Sequence, residues 1–234
     1  MGSRSLNSAL EEAGRRLAPT EQQCGYVNKV LDKVVRAIQQ KGDRFGVDRV
    51  AVSGSKGKST CLRTKFDVDL VVFVNGVDPP FEGTFDRIED CLMLTFDDYS
   101  GTIGPFSLQC IIQGVSLDVL LATNMVPPGA TANECPARLQ RKGLMHKFAG
   151  PEETSWHDMR PFSAAFCETV CDFLATQKEQ VHAAIRLAKF WSKTLIWFDP
   201  KADRSLSYAI ELLTCLLVEK SSVVMAVRLR IESQ

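Results

Sequence analysis

The chain has 234 residues, 45% hydrophobic and 24% charged, enough for a sizeable core in one large domain or two small ones. Basic and acidic residues total 28 each, so the net charge is zero and excludes bulk polycation binding to nucleic acid, leaving room only for a local basic face. Eight Cys with no C-x-x-C pair, and only three His, argue against a zinc site and for reduced thiols in a cytoplasmic protein.

No apolar run approaches the ~18 residues of a membrane helix, no signal-peptide core is visible, and Leu6 stands where myristoylation needs a hydroxyl residue. Residues 1–19 predict loose structure with a short helix around Ala9–Leu17. From Pro19 a helix is expected, because Val27, Val30, Leu31, Val34, Val35 and Ile38 recur near the 3.6 period until Gly42. Val47–Val52 reads as a strand, Gly54–Thr60 as a loop, and Val68–Val74 as a buried strand. Phe85–Leu94 fits a helix, and Phe106–Ile112 and Val115–Ala122 fit a hairpin about Gln113-Gly114. Pro127–Pro136 reads as a loop, and the polar stretch to Arg160 resists assignment. Phe162–Thr176, Lys178–Leu195 and Ser205–Glu219 carry three helical patterns. The chain therefore divides into a mixed α/β part, residues 1–150, and a helical part, residues 151–234, in an α+β fold.

Chemistry concentrates at Asp67 and Asp69. In an extended chain residues i and i+2 share a face, so both carboxylates project together at the head of an apolar strand. Two such charges repel unless a cation lies between them, and oxygen ligands suit Mg²⁺. Asp118, flanked by Leu117 and Val119 on another strand-like run, is a third acid of the same kind. Three carboxylates on adjacent strands hold two Mg²⁺ roughly 4 Å apart in two-metal enzymes. A capping or ion-pairing role would explain any one of the three alone. Upstream, Gly54-Ser55 offers backbone N–H groups and a hydroxyl to phosphate. The loop is no P-loop, since Val52 occupies the position of that motif's first Gly. Arg63 contacts either phosphate or solvent, and Arg186, Lys189 and Lys193 form either a basic stripe or a solvated face. Phe190 and Trp191 read as core, and Tyr208 is ambiguous.

These blocks resemble the 2′-5′-oligoadenylate synthases. That family carries G-S-S-G-K-G-T-T-L-R and then D-A-D-L-V-V-F at the spacing seen here from Gly54 to Arg63 and from Asp67 to Phe73. The strand holding Asp118, the blocks Phe162–Leu174 and Ile185–Trp191, and Tyr208–Thr214 extend the likeness over about residues 22 to 219. The resemblance implies a polymerase-β-like nucleotidyltransferase core of mixed sheet with a helical lobe, ATP as substrate, and two Mg²⁺ held by Asp67, Asp69 and Asp118. It implies Gly54 and Ser55 on the donor triphosphate, and Lys189 and Tyr208 on the donor nucleotide. Lys58, Arg63 and Arg186 are its candidate RNA or phosphate contacts. It also implies an antiviral role and double-stranded RNA as partner. Against RNA dependence, residues 176–182 hold only Lys178 and Glu179 as charges where the family has basic residues. Ser207 replaces the family's Gln, and the helical lobe is expected to be shortened. The expected activity is ATP-dependent synthesis of 2′-5′-linked oligoadenylates. The alternatives are a cyclic-dinucleotide or RNA-tailing nucleotidyltransferase, or an inert RNA-binding relative.

Overall fold

The structure is a computed structural model that describes residues 6–64, 66–81, 83–127, 135–148, 160–194 and 207–217. They form two compact units. The sheet unit comprises Glu21–Ser59 and Phe66–Ala175, and the helical unit Met1–Thr20, Thr60–Lys65 and Thr176–Gln234. The expected division near residue 150 is thus replaced by one in which the chain enters the helical unit three times.

In the sheet unit, five strands lie in the order β1-β2-β5-β4-β3. They are β1 (Val47–Ser53), β2 (Val68–Val74), β3 (Ser100–Ile103), β4 (Leu108–Ile112) and β5 (Val115–Thr123). The central β2–β5 pair is parallel and the other pairs antiparallel, giving the expected mixed sheet. The β4–β5 hairpin turns at Gln113 (φ 49°) and Gly114 (φ 70°), the two left-handed residues of a type I′ turn. β3, an exposed edge strand of sequence Ser-Gly-Thr-Ile, has no apolar alternation to announce it.

Alternation decides what each face of the sheet meets. Val68, Leu70, Val72, Leu117, Val119 and Leu121 face helices α2 (Glu21–Gly42) and α4 (Thr84–Met93), whose Val30, Val34, Ile38, Ile88 and Leu92 are all but fully buried. Each such side chain contributes about 1.5–3 kcal/mol of burial free energy. α2 ends at Gly42 as expected, and a 3₁₀ turn, Asp43–Phe45, follows it to Gly46 (φ 80°). On the other face Val71, Phe73 and Ala122 pack against Leu144, Ala165 and Cys167. These come from α5 (Pro136–Lys147), a 3₁₀ segment (Arg160–Phe166) and α6 (Cys167–Ala175), so the single helix expected from Phe162 is two elements. α5 lay in the unassigned stretch because its inner face is thin and partly polar. Gln140, 1% exposed, accepts from Met125 N and donates to the Thr123 carbonyl, both at 2.8 Å. Arg49 on β1 clamps the same face. It makes a bidentate pair with Glu168 at 2.8 and 2.9 Å, and its guanidinium lies 3.8 Å from the Phe73 ring centroid.

The helical unit contains α1 (Leu6–Arg16), α7 (Glu179–Thr194) and α8 (207–217). A Cβ on Gly14 would lie 2.4 Å from the Ala183 carbonyl oxygen, so α1 and α7 touch backbone to backbone. Among the described residues no helix is long and apolar enough to cross a membrane.

Candidate active site

The sheet pairing fixes where the acids stand. Asp69 on β2 is the register partner of Asp118 on the parallel strand β5 and of Ser53 on β1. Register partners point to one side, and neighbouring strands run about 4.8 Å apart. Asp69 and Asp118 therefore lie side by side on the face of Val71 and Ala122, and Asp67, two residues upstream, precedes the first residue of β2. All three are half-buried.

The turn after β1 meets the same place. Gly54–Gly57, expected as open loop, is one helical turn, α3. Gly54 has φ +59°, and a Cβ built on it would fall 1.4 Å from Asp69 Oδ2. Only a glycine allows the Asp69 carboxylate to rest against the turn, which puts half-buried Ser55 next in line. The left-handed conformation and the close approach make the same demand, so the glycine is required twice over.

Asp118 Oδ1 is, among the described residues, the one buried side-chain polar atom with no hydrogen-bond partner. An unsatisfied buried oxygen costs about 1–3 kcal/mol, more when it carries charge. The field of this carboxylate is felt nearby. Burial first, and then Asp118, push the Cys110 thiol up to about 12. Among the described residues no three His, Cys, Asp or Glu side chains are drawn together as a preformed metal cage. By donor chemistry and placement the residues nevertheless fit a divalent cation. Asp69 and Asp118 offer hard carboxylate oxygens on one face, one of them buried and unsatisfied.

The remaining residues named from sequence divide between the units. Lys58, half-buried, belongs to the sheet unit with Gly54, Ser55 and the three acids. Arg63, Arg186, Lys189 and Tyr208 belong to the helical unit. There two members of the stripe on α7 are buried, Arg186 at 5% and Lys189 at 4% exposed, while Lys193 is exposed. Arg186 Nε donates to the Gly14 carbonyl at 3.1 Å and its Nη2 pairs with Glu179, so this guanidinium joins α1 to α7. Arg63 is exposed and its backbone N–H donates to the Leu17 carbonyl at 2.8 Å. Tyr208 is exposed on α8, and Trp191, expected in the core, is 66% exposed.

Two residues escaped the sequence reading. Lys189 Nζ pairs with the Glu211 carboxylate and donates to Thr60 Oγ1 at 2.9 Å, while Thr60 Oγ1 donates to Glu211 Oε1 at 3.0 Å. Glu211 and Thr60 are both 0% exposed. Periodicity held the signal for this cluster. Lys189 continues the buried row Val181, Ile185 at four-residue spacing, a position that tolerates an ammonium only with a buried acid to meet it.

Known proteins resemble the chain in sequence and in fold. Residues 151–230 match the family model described as 2′-5′-oligoadenylate synthetase 1, domain 2, C-terminus. The chain is 28% identical over 232 residues to rat 2′-5′-oligoadenylate synthase 2, covering 88% of this chain and 31% of that protein. It is 27% identical over 188 residues to an Escherichia coli cyclic AMP-AMP-AMP synthase, covering 75% of this chain and 51% of that protein. The chain thus spans about half or less of the length of these relatives. Among solved structures, the E. coli CdnC:HORMA-deltaN complex superposes with a TM-score of 0.53 at 20% identity, covering 91% of this chain and 64% of that one. At that identity the likeness speaks for the fold. The chain is thus similar in sequence to the 2′-5′-oligoadenylate synthases over most of its length, and similar in fold to the E. coli CdnC structure.

Proposed function

We propose that the chain carries the catalytic core of an ATP-dependent nucleotidyltransferase that joins adenylates through 2′-5′ linkages. The observation that carries this reading is the pairing of Asp69 with Asp118 beside Gly54, with one buried carboxylate oxygen left without a partner. Asp67, Asp69 and Asp118 would hold two Mg²⁺, which when bound supply charge neutralisation to phosphate and acidity to an attacking hydroxyl. The protein's own part is positioning. In the sheet unit the Gly54-Ser55 turn is the proposed donor-triphosphate contact, and in the helical unit Lys189 and Tyr208 are the proposed nucleotide contacts. An acceptor 2′-oxygen then forms its bond to the α-phosphorus as the bond to the bridging oxygen of pyrophosphate breaks. Free thiols at all eight cysteines suit a reducing cytoplasm.

Turnover proceeds without double-stranded RNA in this reading. Lys178 and Glu179 are the only charged residues of 176–182, both are exposed, and Glu179 is paired with Arg186. A second reading, synthesis of a cyclic oligoadenylate, is favoured by the likeness to the cyclic AMP-AMP-AMP synthase, similar in identity to that with the rat enzyme.

One assay decides among them. The protein is incubated with ATP and Mg²⁺, with and without double-stranded RNA, and products are resolved by resistance to a 3′-5′-specific nuclease and to phosphatase. Linear nuclease-resistant, phosphatase-sensitive oligomers in both conditions are expected. Phosphatase-resistant products establish the cyclic reading, strict dependence on RNA refutes the activation claim, and absence of pyrophosphate release refutes the enzyme reading.

A further inference from the structure

The buried triangle of Lys189, Glu211 and Thr60 has a purpose that packing alone does not supply. A lysine side chain is among the most mobile in rotamer space, and fixing it on ligand binding weakens affinity by the entropy lost. Here the ordering is already complete. The ammonium meets the Glu211 carboxylate and the Thr60 hydroxyl, and that hydroxyl turns its own proton toward the same carboxylate oxygen. The three groups come from three chain segments: α7, α8 and the stretch that begins the 60–65 excursion into the helical unit. An ion pair at such depth is seldom a net gain in stability over apolar packing of equal volume, so conformational definition is the better account of it.

We propose that Glu211 and Thr60 are positioning residues for nucleotide binding, gripping the Lys189 ammonium in one conformation so that the donor nucleotide meets it already ordered. This rests on the reading of Lys189 as a nucleotide contact. Glu211 and Thr60 act through Lys189 and do not themselves touch substrate. Glu211 also offsets the lysine charge, so Lys189 contributes direction more than net attraction.

The test measures binding of a non-cleavable α,β-methylene analogue of ATP, alongside KM and kcat for ATP, in Lys189→Ala, Glu211→Ala, Glu211→Gln, Thr60→Val and the double variant K189A/E211A. Circular dichroism confirms that each is folded. Glu211→Ala is expected to weaken analogue binding and raise KM between about twofold and tenfold with kcat little changed, the range that corresponds to ordering one long side chain. Glu211→Gln, which keeps an acceptor for the ammonium and the hydroxyl, restores most of the affinity. Thr60→Val gives a smaller loss and carries the test if Glu211→Ala does not fold. The double variant binds no more weakly than Lys189→Ala alone. Additive losses in the double variant, or folded Glu211→Ala and Thr60→Val with wild-type affinity while Lys189→Ala is impaired, overturn the positioning role. Wild-type affinity in Lys189→Ala removes the lysine contact on which it rests. A wild-type protein that neither binds the analogue nor releases pyrophosphate sinks the enzyme reading and this inference together.

Discussion

In the sheet unit Asp118 is half-buried and keeps one carboxylate oxygen without a partner, while in the helical unit Lys189 and Glu211 are buried more deeply and are fully engaged. The contrast separates two uses of charge in a protein interior. A paired buried charge defines a conformation, whereas an unpaired one is tolerated where a ligand is to complete it. By this criterion the sheet unit is the place proposed for the chemistry, and the helical unit the place of the proposed preset contact.

The contrast can be broken most severely at Gly54. Gly54→Ala places a methyl group where Asp69 Oδ2 now lies and forces an L-residue to φ +59°. It should lower pyrophosphate release at least tenfold and cost about 1–2 kcal/mol in stability, read by urea unfolding. Wild-type activity in Gly54→Ala would mean that Asp69 need not rest against the turn. In the helical unit, Lys189→Met or Glu211→Leu alone leaves a buried charge without its partner and should lose about 3–5 kcal/mol. The double replacement should recover most of that loss, and failure to recover would show that the pair itself stabilises the fold.

The smallest effect is expected at the rim of the sheet unit. The hydrogen bond from Lys147, at 2.6 Å, and a weaker one from Thr123 hold the Asp78 carboxyl below its ordinary range. A depressed carboxylate adds stability above its unfolded value and loses it as pH falls through the folded one. Asp78→Asn should therefore cost under about 1 kcal/mol at neutral pH and nothing in acid well below pH 4, compared by urea unfolding at both pH values. A larger loss at neutral pH would contradict a solvent-screened pair.

The parts legible in the sequence were those written in short-range pattern. β2 begins and ends where its apolar run does, and α2 buries Val27, Val30, Leu31, Val34 and Ile38 as its period requires. The Asp67-x-Asp69 spacing marked the head of β2 as acidic, but the register that sets Asp118 beside Asp69 is a long-range property. α5 escaped because Gln140 takes a core position that apolar periodicity cannot flag, and β3 because an edge strand needs no apolar face. The return of residues 60–65 to the helical unit involves Thr60 meeting Glu211, which is 151 positions away, and Arg63 N–H meeting the Leu17 carbonyl. Arg186 looked like a surface cation because its partners, the Gly14 carbonyl and Glu179, include a backbone atom 172 residues distant.

Asp118→Asn tests the central claim most directly, by pyrophosphate release from ATP and thermal melting in metal-free buffer on the same preparation. Removing a charge whose buried oxygen has no partner should raise the melting temperature by roughly 2–4 °C while release falls at least about a hundredfold. Undiminished release, with or without the gain in stability, would contradict the assignment of Asp118 to the reacting centre.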